Sequence, residues 1–252
     1  MGGRNIRLIV EYDGTPYLGW QRQQDGPSVE DELCRALAQV TGSEPSLTVA
    51  GRTDAGVHAL GQVVNFKTDS AIEDWRFSHA LNAHLPQTVT VHLSSEVPAE
   101  FSARLDSLSK HYRYRVYQGP HLPALDTHRA WHHRTVLDLD AMRRAAEPLI
   151  GEQDFESFRS VHCDADHAVR EMFSIDITRL ERPPAGYFVD ITFHANAYCR
   201  HMCRVLAGTL CDVGRGRMAA ADITGIRDAR DRKRAGVTAP ASGLTLLNVA
   251  YP

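Results

Sequence analysis

The sequence contains little cysteine, and no two cysteines have the C-x-x-C spacing of a zinc or redox motif. A chain of 252 residues buries a sizeable core without disulfides, so five cysteines favour a reduced protein. The longest uncharged stretch, 235–252, contains two prolines and two glycines and is no candidate for a membrane helix. Arg7 interrupts the early apolar run, so we expect no signal peptide. These absences predict a cytoplasmic globular protein with no membrane segment.

The sequence also has no large excess of charge of one sign. The 28 basic and 31 acidic residues give a net charge of −3, which excludes a histone-like polycation. A local basic surface still fits this total, so nucleic-acid binding remains open. With 43% hydrophobic and 23% charged residues, the composition is that of a folded protein.

Hydrophobic periodicity predicts strands and helices without strict β-α-β alternation. Residues 6–12 alternate as in a half-buried strand, and a capped helix is predicted from Ser28 to the stop signal at Gly42. The other predicted strands are 61–67, 88–94, 109–117, 169–179, 187–194 and 243–250, and the other predicted helices are 74–84, 138–150, 198–213 and 219–227. This mixture favours an α+β fold with a largely antiparallel sheet. The irregular stretch near 98–104 predicts two halves, 1–104 and 105–252.

The segment 49–61 combines small residues with Arg52, Asp54 and His58. Small residues allow a backbone and a ligand to approach closely. In an extended conformation Arg52 and Asp54 share a face, so the guanidinium can keep the carboxylate ionised. Such a carboxylate suits a nucleophile or an anion stabiliser better than a general acid. The other interpretation is a turn with an ordinary surface ion pair.

Basic and aromatic residues alternate in a second region, from Arg104 through 110–115. This pattern is typical of surfaces that bind phosphates and stack bases. It also fits an amphipathic strand with tyrosines in the core and arginines in water. Further along, Arg215 and Arg217 suit either a phosphate clamp or the end of a helix.

The run Cys199-Arg-His201-Met-Cys203 suggests a metal site at first sight. On the helix predicted at 198–213, however, His201 lies opposite the two cysteines. No fourth residue has ligand spacing either. We therefore expect no metal.

Taken together, these clusters resemble the TruA-type tRNA pseudouridine synthases over nearly the whole chain. The matching motifs lie at 12–14, 19–23, 51–58, 101–104, 112–114, 151–158, 201–204, 208–216 and 239–246. Dispersed motifs in the right order are more specific than any one of them. Cys199 and Cys203 depart from the family pattern, and we interpret both departures as changes in packing.

The resemblance implies the pseudouridine synthase fold, in which two α/β halves share a mostly antiparallel sheet with a central active-site cleft. It implies a homodimer that isomerises uridine to pseudouridine at positions 38–40 of the tRNA anticodon stem-loop. It also implies no cofactor and no metal.

The same resemblance implies roles for individual residues. Asp54 is the expected nucleophile, attacking either the ribose C1′ or the uracil ring, and Arg204 keeps it ionised. Arg52 displaces or holds the flipped nucleotide. Tyr112 stacks on the uracil and removes the C5 proton, while Leu244 packs beneath the base. Other expected substrate contacts are His58, Arg104 and Arg215.

Other functions remain as alternatives. The chain could act on other RNA sites, or bind RNA without catalysis. A glycosidase-like hydrolase usually needs a second carboxylate, which the motifs do not pair with Asp54. A zinc deaminase needs H-x-E and P-C-x-x-C, which the sequence lacks.

Overall fold

The computed structural model describes residues 3–252, in which the chain forms two compact units. Unit 1 comprises the residues up to Leu108 together with Thr245–Pro252, and unit 2 comprises Ser109–Leu244. The strands are β1 (Arg4–Tyr12), β2 (Leu47–Val49), β3 (His58–Thr68), β4 (Val89–Val97), β5 (Ser109–Gln118), β6 (Trp131–His132), β7 (Gly151–Asp154), β8 (Val169–Glu181), β9 (Tyr187–Ala195) and β10 (Leu244–Ala250). The helices are α1 (Val29–Thr41), α2 (Arg76–Asn82), α3 (Leu139–Ala146), α4 (Met202–Gly214) and α5 (Asp222–Asp228).

In unit 1 the strand order is β4-β1-β3-β10, with β2 also paired to β3. The pairs of β1 with β3 and β4 are antiparallel, and β10 runs parallel to β3. Ile6, Leu8 and Val10 of β1 are fully buried, as their alternation predicts. The largest buried side chains of this core also include Trp20, Leu33, Leu37, Phe66 and Phe77.

Helix α1 begins and ends where its sequence signals predict. The Ser28 hydroxyl accepts a hydrogen bond from the Asp31 backbone N–H at 3.1 Å, which caps the first turn. Gly42 ends the helix in the left-handed conformation, with φ of 76°.

In unit 2 the strand order is β5-β9-β8-β7, with every one of these neighbours antiparallel. Strand β6 adds a short parallel pair to β5. The core is rich in aromatic side chains: Tyr114, Tyr117, Phe155, Phe158 and Phe193 are almost completely buried. The predicted α+β class with mostly antiparallel strands is thus confirmed within each unit. None of the helices in 3–252 has the length and apolar character that crossing a bilayer requires.

Some predicted elements differ from the observed ones. Strand β3 begins three residues earlier than predicted, because His58 pairs with Thr245 of β10. The helix predicted at 138–150 ends at Ala146, and a 3₁₀ turn containing Pro148 follows. The helix predicted at 198–213 begins only at Met202. The strands β2, β6 and β7 are too short to show a periodicity in the sequence.

Candidate active site

Asp54 lies in the loop between β2 and β3, and backbone contacts fix this loop in unit 1. Asp54 forms an isolated antiparallel bridge with Gly19, and the adjacent Thr53 carbonyl accepts a hydrogen bond from Trp20 N at 3.0 Å. On the other side, the Asp54 carbonyl accepts one from Val57 N at 3.1 Å. The carboxylate is therefore carried by a backbone that is held on both sides.

Two glycines outside the loop make this arrangement possible. Gly19 has φ of 111°, and a Cβ there would lie 2.7 Å from the Thr53 carbonyl oxygen. A Cβ on Gly14 would lie only 2.0 Å from the Val57 carbonyl oxygen. Larger residues at either position would push the Asp54 loop away.

Beneath the loop lies a buried polar network that the sequence analysis did not identify. The Tyr12 hydroxyl and Thr53 Oγ1 are 2.8 Å apart, and Gln62 Nε2 donates to the Tyr12 oxygen at 3.2 Å and to the Gly51 carbonyl at 2.8 Å. Burial raises the pKa of Tyr12 to about 12 although both hydrogen bonds oppose this, so its phenol stays neutral. The one sequence signal was the polar Gln62 next to the apolar pair Val63 and Val64.

Arg52 and His58 occupy very different environments in the same loop. Arg52 is exposed, whereas Asp54 is partly exposed and has an interaction with the rest of the protein. The pairing of Arg52 with Asp54 stays a prediction. His58 is 6% exposed, with Nδ1 3.1 Å from Gly14 N and 3.2 Å from Asp13 Oδ1.

Arg104 is the last residue of the segment 101–104, which the buried side chains of Asn5 and Asn65 hold in unit 1 by hydrogen bonds. Asn5 Nδ2 donates to the Phe101 carbonyl at 2.9 Å, and Asn65 Oδ1 accepts from Ala103 N at 2.8 Å. Asn65 Nδ2 also donates to Asn5 Oδ1 at 2.9 Å. The Arg104 side chain itself is exposed, as a phosphate contact requires.

In unit 2, Tyr112 lies on the buried face of β5 with Tyr114 and Val116, as predicted. Its ring packs edge-on against Tyr198, with centroids 5.0 Å apart and an interplanar angle of 80°. Tyr198 Oη donates to the Lys110 carbonyl at 3.1 Å, and burial raises the pKa of Tyr198 well above its usual range. Tyr198 is a partner of Tyr112 that the sequence analysis missed.

Arg204 lies in the first turn of α4, and the segment before β10 orients it. Its Nε donates to the Ala239 carbonyl at 2.8 Å, while Ala239 N donates to the Arg204 carbonyl at 3.1 Å. The neighbouring loop is fixed by Tyr114, whose hydroxyl donates to the Pro240 carbonyl at 2.8 Å. Leu244 follows this loop at the start of β10 and is 6% exposed.

His201 precedes α4 and has a left-handed backbone, with φ of 64°. The prediction that a helix places His201 opposite Cys199 and Cys203 was therefore wrong, since Cys199 and His201 lie outside α4. Across residues 3–252, no three His, Cys, Asp or Glu side chains are grouped as metal ligands.

The basic residues of the matching motifs are not equally available to a ligand. Arg215 caps the end of α4, and its Nε donates to Asp212 Oδ1 at 2.8 Å. Arg115 forms a bidentate pair with Asp190, with contacts of 2.7 and 2.6 Å. Lys110 is buried, which lowers its pKa. By contrast, Arg104 and Arg217 are exposed.

Known proteins similar to this chain agree on one family. A family model described as tRNA pseudouridine synthase matches residues 8–106 and 145–252. The tRNA pseudouridine synthase A of Syntrophotalea carbinolica is 44% identical over 98% of this chain and 96% of the relative. That of Acetivibrio thermocellus is 42% identical over 98% of this chain and its own full length. This chain belongs to the tRNA pseudouridine synthase family.

Tyr112 falls outside the ranges matched by the tRNA pseudouridine synthase model, but inside the nearly full-length alignments to the relatives. The other predicted site residues lie inside the matched ranges: Arg52, Asp54, His58, Arg104, Arg204, Arg215 and Leu244. A solved Cbf5-Nop10-Gar1 complex aligns with 12% identity and a TM-score of 0.38, over 96% of this chain and 48% of that one, and adds no argument. The chain is thus an enzyme of the class that isomerises uridine to pseudouridine in tRNA.

Proposed function

We propose that this enzyme acts on uridines 38–40 of the tRNA anticodon stem-loop, with Asp54 as its nucleophile. The observation that carries the proposal is Asp54 itself, a partly exposed carboxylate on a backbone held by Gly19, Trp20 and Val57. A nucleophile that must meet one atom of a bound nucleotide benefits from such a fixed position.

The reaction needs four changes in the nucleotide. The N-glycosidic bond breaks, the uracil turns, and a carbon–carbon bond forms between C1′ and C5, after which C5 loses its proton. Asp54 attacks C1′ or the uracil ring in the first stage. Arg204 is proposed to keep this carboxylate ionised, and Tyr112 to stack on the uracil and remove the C5 proton.

A uridine within a stem must leave its stack before it can react. The exposed guanidinium of Arg52 suits a residue that holds the displaced nucleotide. Arg104 is proposed to contact phosphates, which fix the position of the RNA without reading its sequence. His58, Arg215 and Leu244 are proposed to complete the substrate site. Contacts with Asp13 and Gly14 hold His58, and a contact with Asp212 holds Arg215.

The test of the nucleophile is Asp54→Asn, which keeps the size of the side chain and removes its charge. We expect no tritium release from C5-labelled uridine in tRNA, while tRNA affinity stays within a few-fold because phosphate contacts dominate binding. Asp25→Asn, the same change at an exposed loop residue, is the matched control and should keep full activity. Pseudouridine formation by Asp54→Asn would remove Asp54 from this role.

The position of the target is tested separately. A modification map of tRNA from cells that lack the protein should lose pseudouridine at 38–40 and nowhere else. Loss at other RNA sites would favour the alternative substrate, and an unchanged map would favour a non-catalytic RNA-binding protein.

The enzyme is also proposed to be a cytoplasmic homodimer. The thiols of Cys34, Cys163, Cys199, Cys203 and Cys211 are all free, which suits a reducing compartment. The proposal of a dimer is based on the resemblance to the family. Light scattering of the purified chain should give twice its mass of 28.0 kDa.

We further propose that catalysis needs no metal and no organic cofactor. Prolonged chelation, with the metal content measured before and after, should leave the rate of pseudouridine formation unchanged. A stoichiometric zinc whose removal abolishes activity would contradict this, and Cys199 and Cys203 would then be the first ligands to replace.

A further inference from the structure

Two cysteines that the reaction does not use lie together in unit 2. Cys163 belongs to the connection between Phe158 and β8 and is partly exposed, whereas Cys199 is buried three residues before α4. The backbone N of Arg200, the residue that follows Cys199, lies 3.4 Å from Cys163 Sγ, and the Cys163 thiol is near enough to Cys199 to help raise its pKa. The two segments are also joined by their backbones, since Ser160 N donates to the Arg200 carbonyl at 2.9 Å.

The surroundings of Cys163 favour a thiolate. Arg200 N donates to Cys163 Sγ at 3.4 Å, and the Arg159 side chain also interacts with this sulfur. Burial opposes ionisation, but the Ala165 and Arg200 backbone N–H groups and the Arg159 guanidinium together lower the pKa of Cys163. Arg159 is shared with Glu156 through an ion pair of 2.9 Å, so it is held in place.

Cys199 has the opposite character. Burial raises the pKa of its thiol to about 11, and the interaction with Cys163 raises it further, against the opposing charge of Arg170. A partly exposed thiol with a lowered pKa beside a buried thiol with a raised pKa is the arrangement of a peroxide-reactive cysteine with a resolving cysteine.

We propose that Cys163 and Cys199 form a reversible disulfide when the enzyme meets a hydroperoxide. The Cys163 thiolate attacks one peroxide oxygen, the O–O bond breaks, and the alkoxide or hydroxide leaves and takes a proton from water. Cys163 becomes a sulfenic acid. The Cys199 sulfur then attacks the Cys163 sulfur, the S–O bond breaks, and the hydroxide leaves as water with the Cys199 proton. Overall, two thiols are oxidised by two electrons and one peroxide is reduced.

The disulfide joins two peptides that trypsin separates in the reduced chain. Cleavage after arginine gives one peptide at 160–170, with Cys163, and another at 180–200, with Cys199, because Pro183 protects the bond after Arg182. Cys203 falls in a different peptide, 201–204. A linked pair therefore identifies the two partners without ambiguity.

The experiment treats the reduced full-length protein with hydrogen peroxide, alkylates the remaining thiols, and maps the non-reduced digest by mass spectrometry. We expect 160–170 linked to 180–200 with the loss of two hydrogens, and its disappearance after dithiothreitol. Cys163→Ser and Cys199→Ser should each abolish the link, whereas Cys34→Ser, the same change at a buried cysteine, should keep it. In Cys199→Ser, a dimedone probe should label Cys163, on the order of tenfold faster than Cys34.

The wild-type digest alone decides the matter, even if a variant fails to fold. Absence of the linked pair, or linkage of Cys163 to any other cysteine, overturns the proposal. The readout is a covalent bond and uses no tRNA, so its failure is distinct from a failure of the proposed isomerase mechanism.

Discussion

Thr53 supports its neighbour Asp54 through a hydroxyl that faces the protein interior. Its oxygen meets a Tyr12 phenol whose pKa is raised to about 12, so that contact persists across the physiological pH range. Gln62 of β3 is the third member of this hydrogen-bonded group. Its Nε2 donates to the Tyr12 oxygen and to the Gly51 carbonyl at the start of the loop. Loss of one member would leave buried polar atoms without partners, which costs about 1–3 kcal/mol.

Tyr112 offers a test at the same scale, because its ring and its hydroxyl have separate proposed tasks. Tyr112→Phe keeps the ring and its edge contact with Tyr198. We expect normal tRNA binding but slow release of tritium from C5. Tyr112→Leu should weaken binding as well, since a stacked base contributes roughly 1–3 kcal/mol.

Tyr198→Phe is the matched control for Tyr112→Phe, since it deletes the same atom from the adjacent ring. It removes the hydrogen bond to the Lys110 carbonyl and should cost about 1 kcal/mol of stability. Its C5 proton release should be that of the parent enzyme. If Tyr112→Phe also released tritium at the parent rate, another group would be the base and Tyr112 would keep only the stacking role.

At the scale of elements, α4 depends on a close approach by the segment 236–239. A Cβ on Gly208 would lie 1.9 Å from the Val237 carbonyl oxygen. The same contact region includes Gly236 N, which donates to Thr209 Oγ1 at 2.9 Å. Helix α4 and this segment therefore hold each other at backbone distance, and Arg204 extends that contact through Ala239.

Gly208→Ala should consequently destabilise unit 2, although alanine is the better helix former. We expect a free energy of unfolding lower by about 2–3 kcal/mol, because neither backbone can move away cheaply. The control is Gly225→Ala in α5, where a Cβ meets nothing within 4 Å. That change should raise stability by about 0.5–1 kcal/mol. Urea unfolding followed by circular dichroism measures both, and equal effects would contradict the packing argument.

The two helix starts show which parts of the fold were predictable. The start of α1 depends on Ser28 and Asp31, three residues apart, so the sequence displays it. The start of α4 depends on His201, whose left-handed backbone is uncommon for any residue other than glycine. No local pattern encodes that, and the predicted helix accordingly began four residues too early.

At the scale of the whole molecule, the distribution of charge matters more than its sum. The arginines of the matching motifs look alike in the sequence, but Arg115 pairs with Asp190, 75 residues away, and does so only through the β5–β9 register. Such pairing cannot be read from spacing. It identifies Arg115 as a structural residue, and leaves the exposed Arg104 and Arg217 as better candidates for phosphate contacts.

The affinity for tRNA should therefore fall steeply with salt despite the net charge of −3. We expect a log–log slope of several units, because each neutralised phosphate releases counterions. Arg104→Gln and Arg217→Gln should each reduce that slope by about one unit without a change in folding. Arg115→Gln is the contrasting variant: it leaves the buried Asp190 without its partner and should cost about 3 kcal/mol of stability while the slope stays the same. Binding titrations at several salt concentrations, with unfolding curves for each variant, measure both effects. A flat salt response of the parent enzyme would mean that its exposed arginines do not face the RNA.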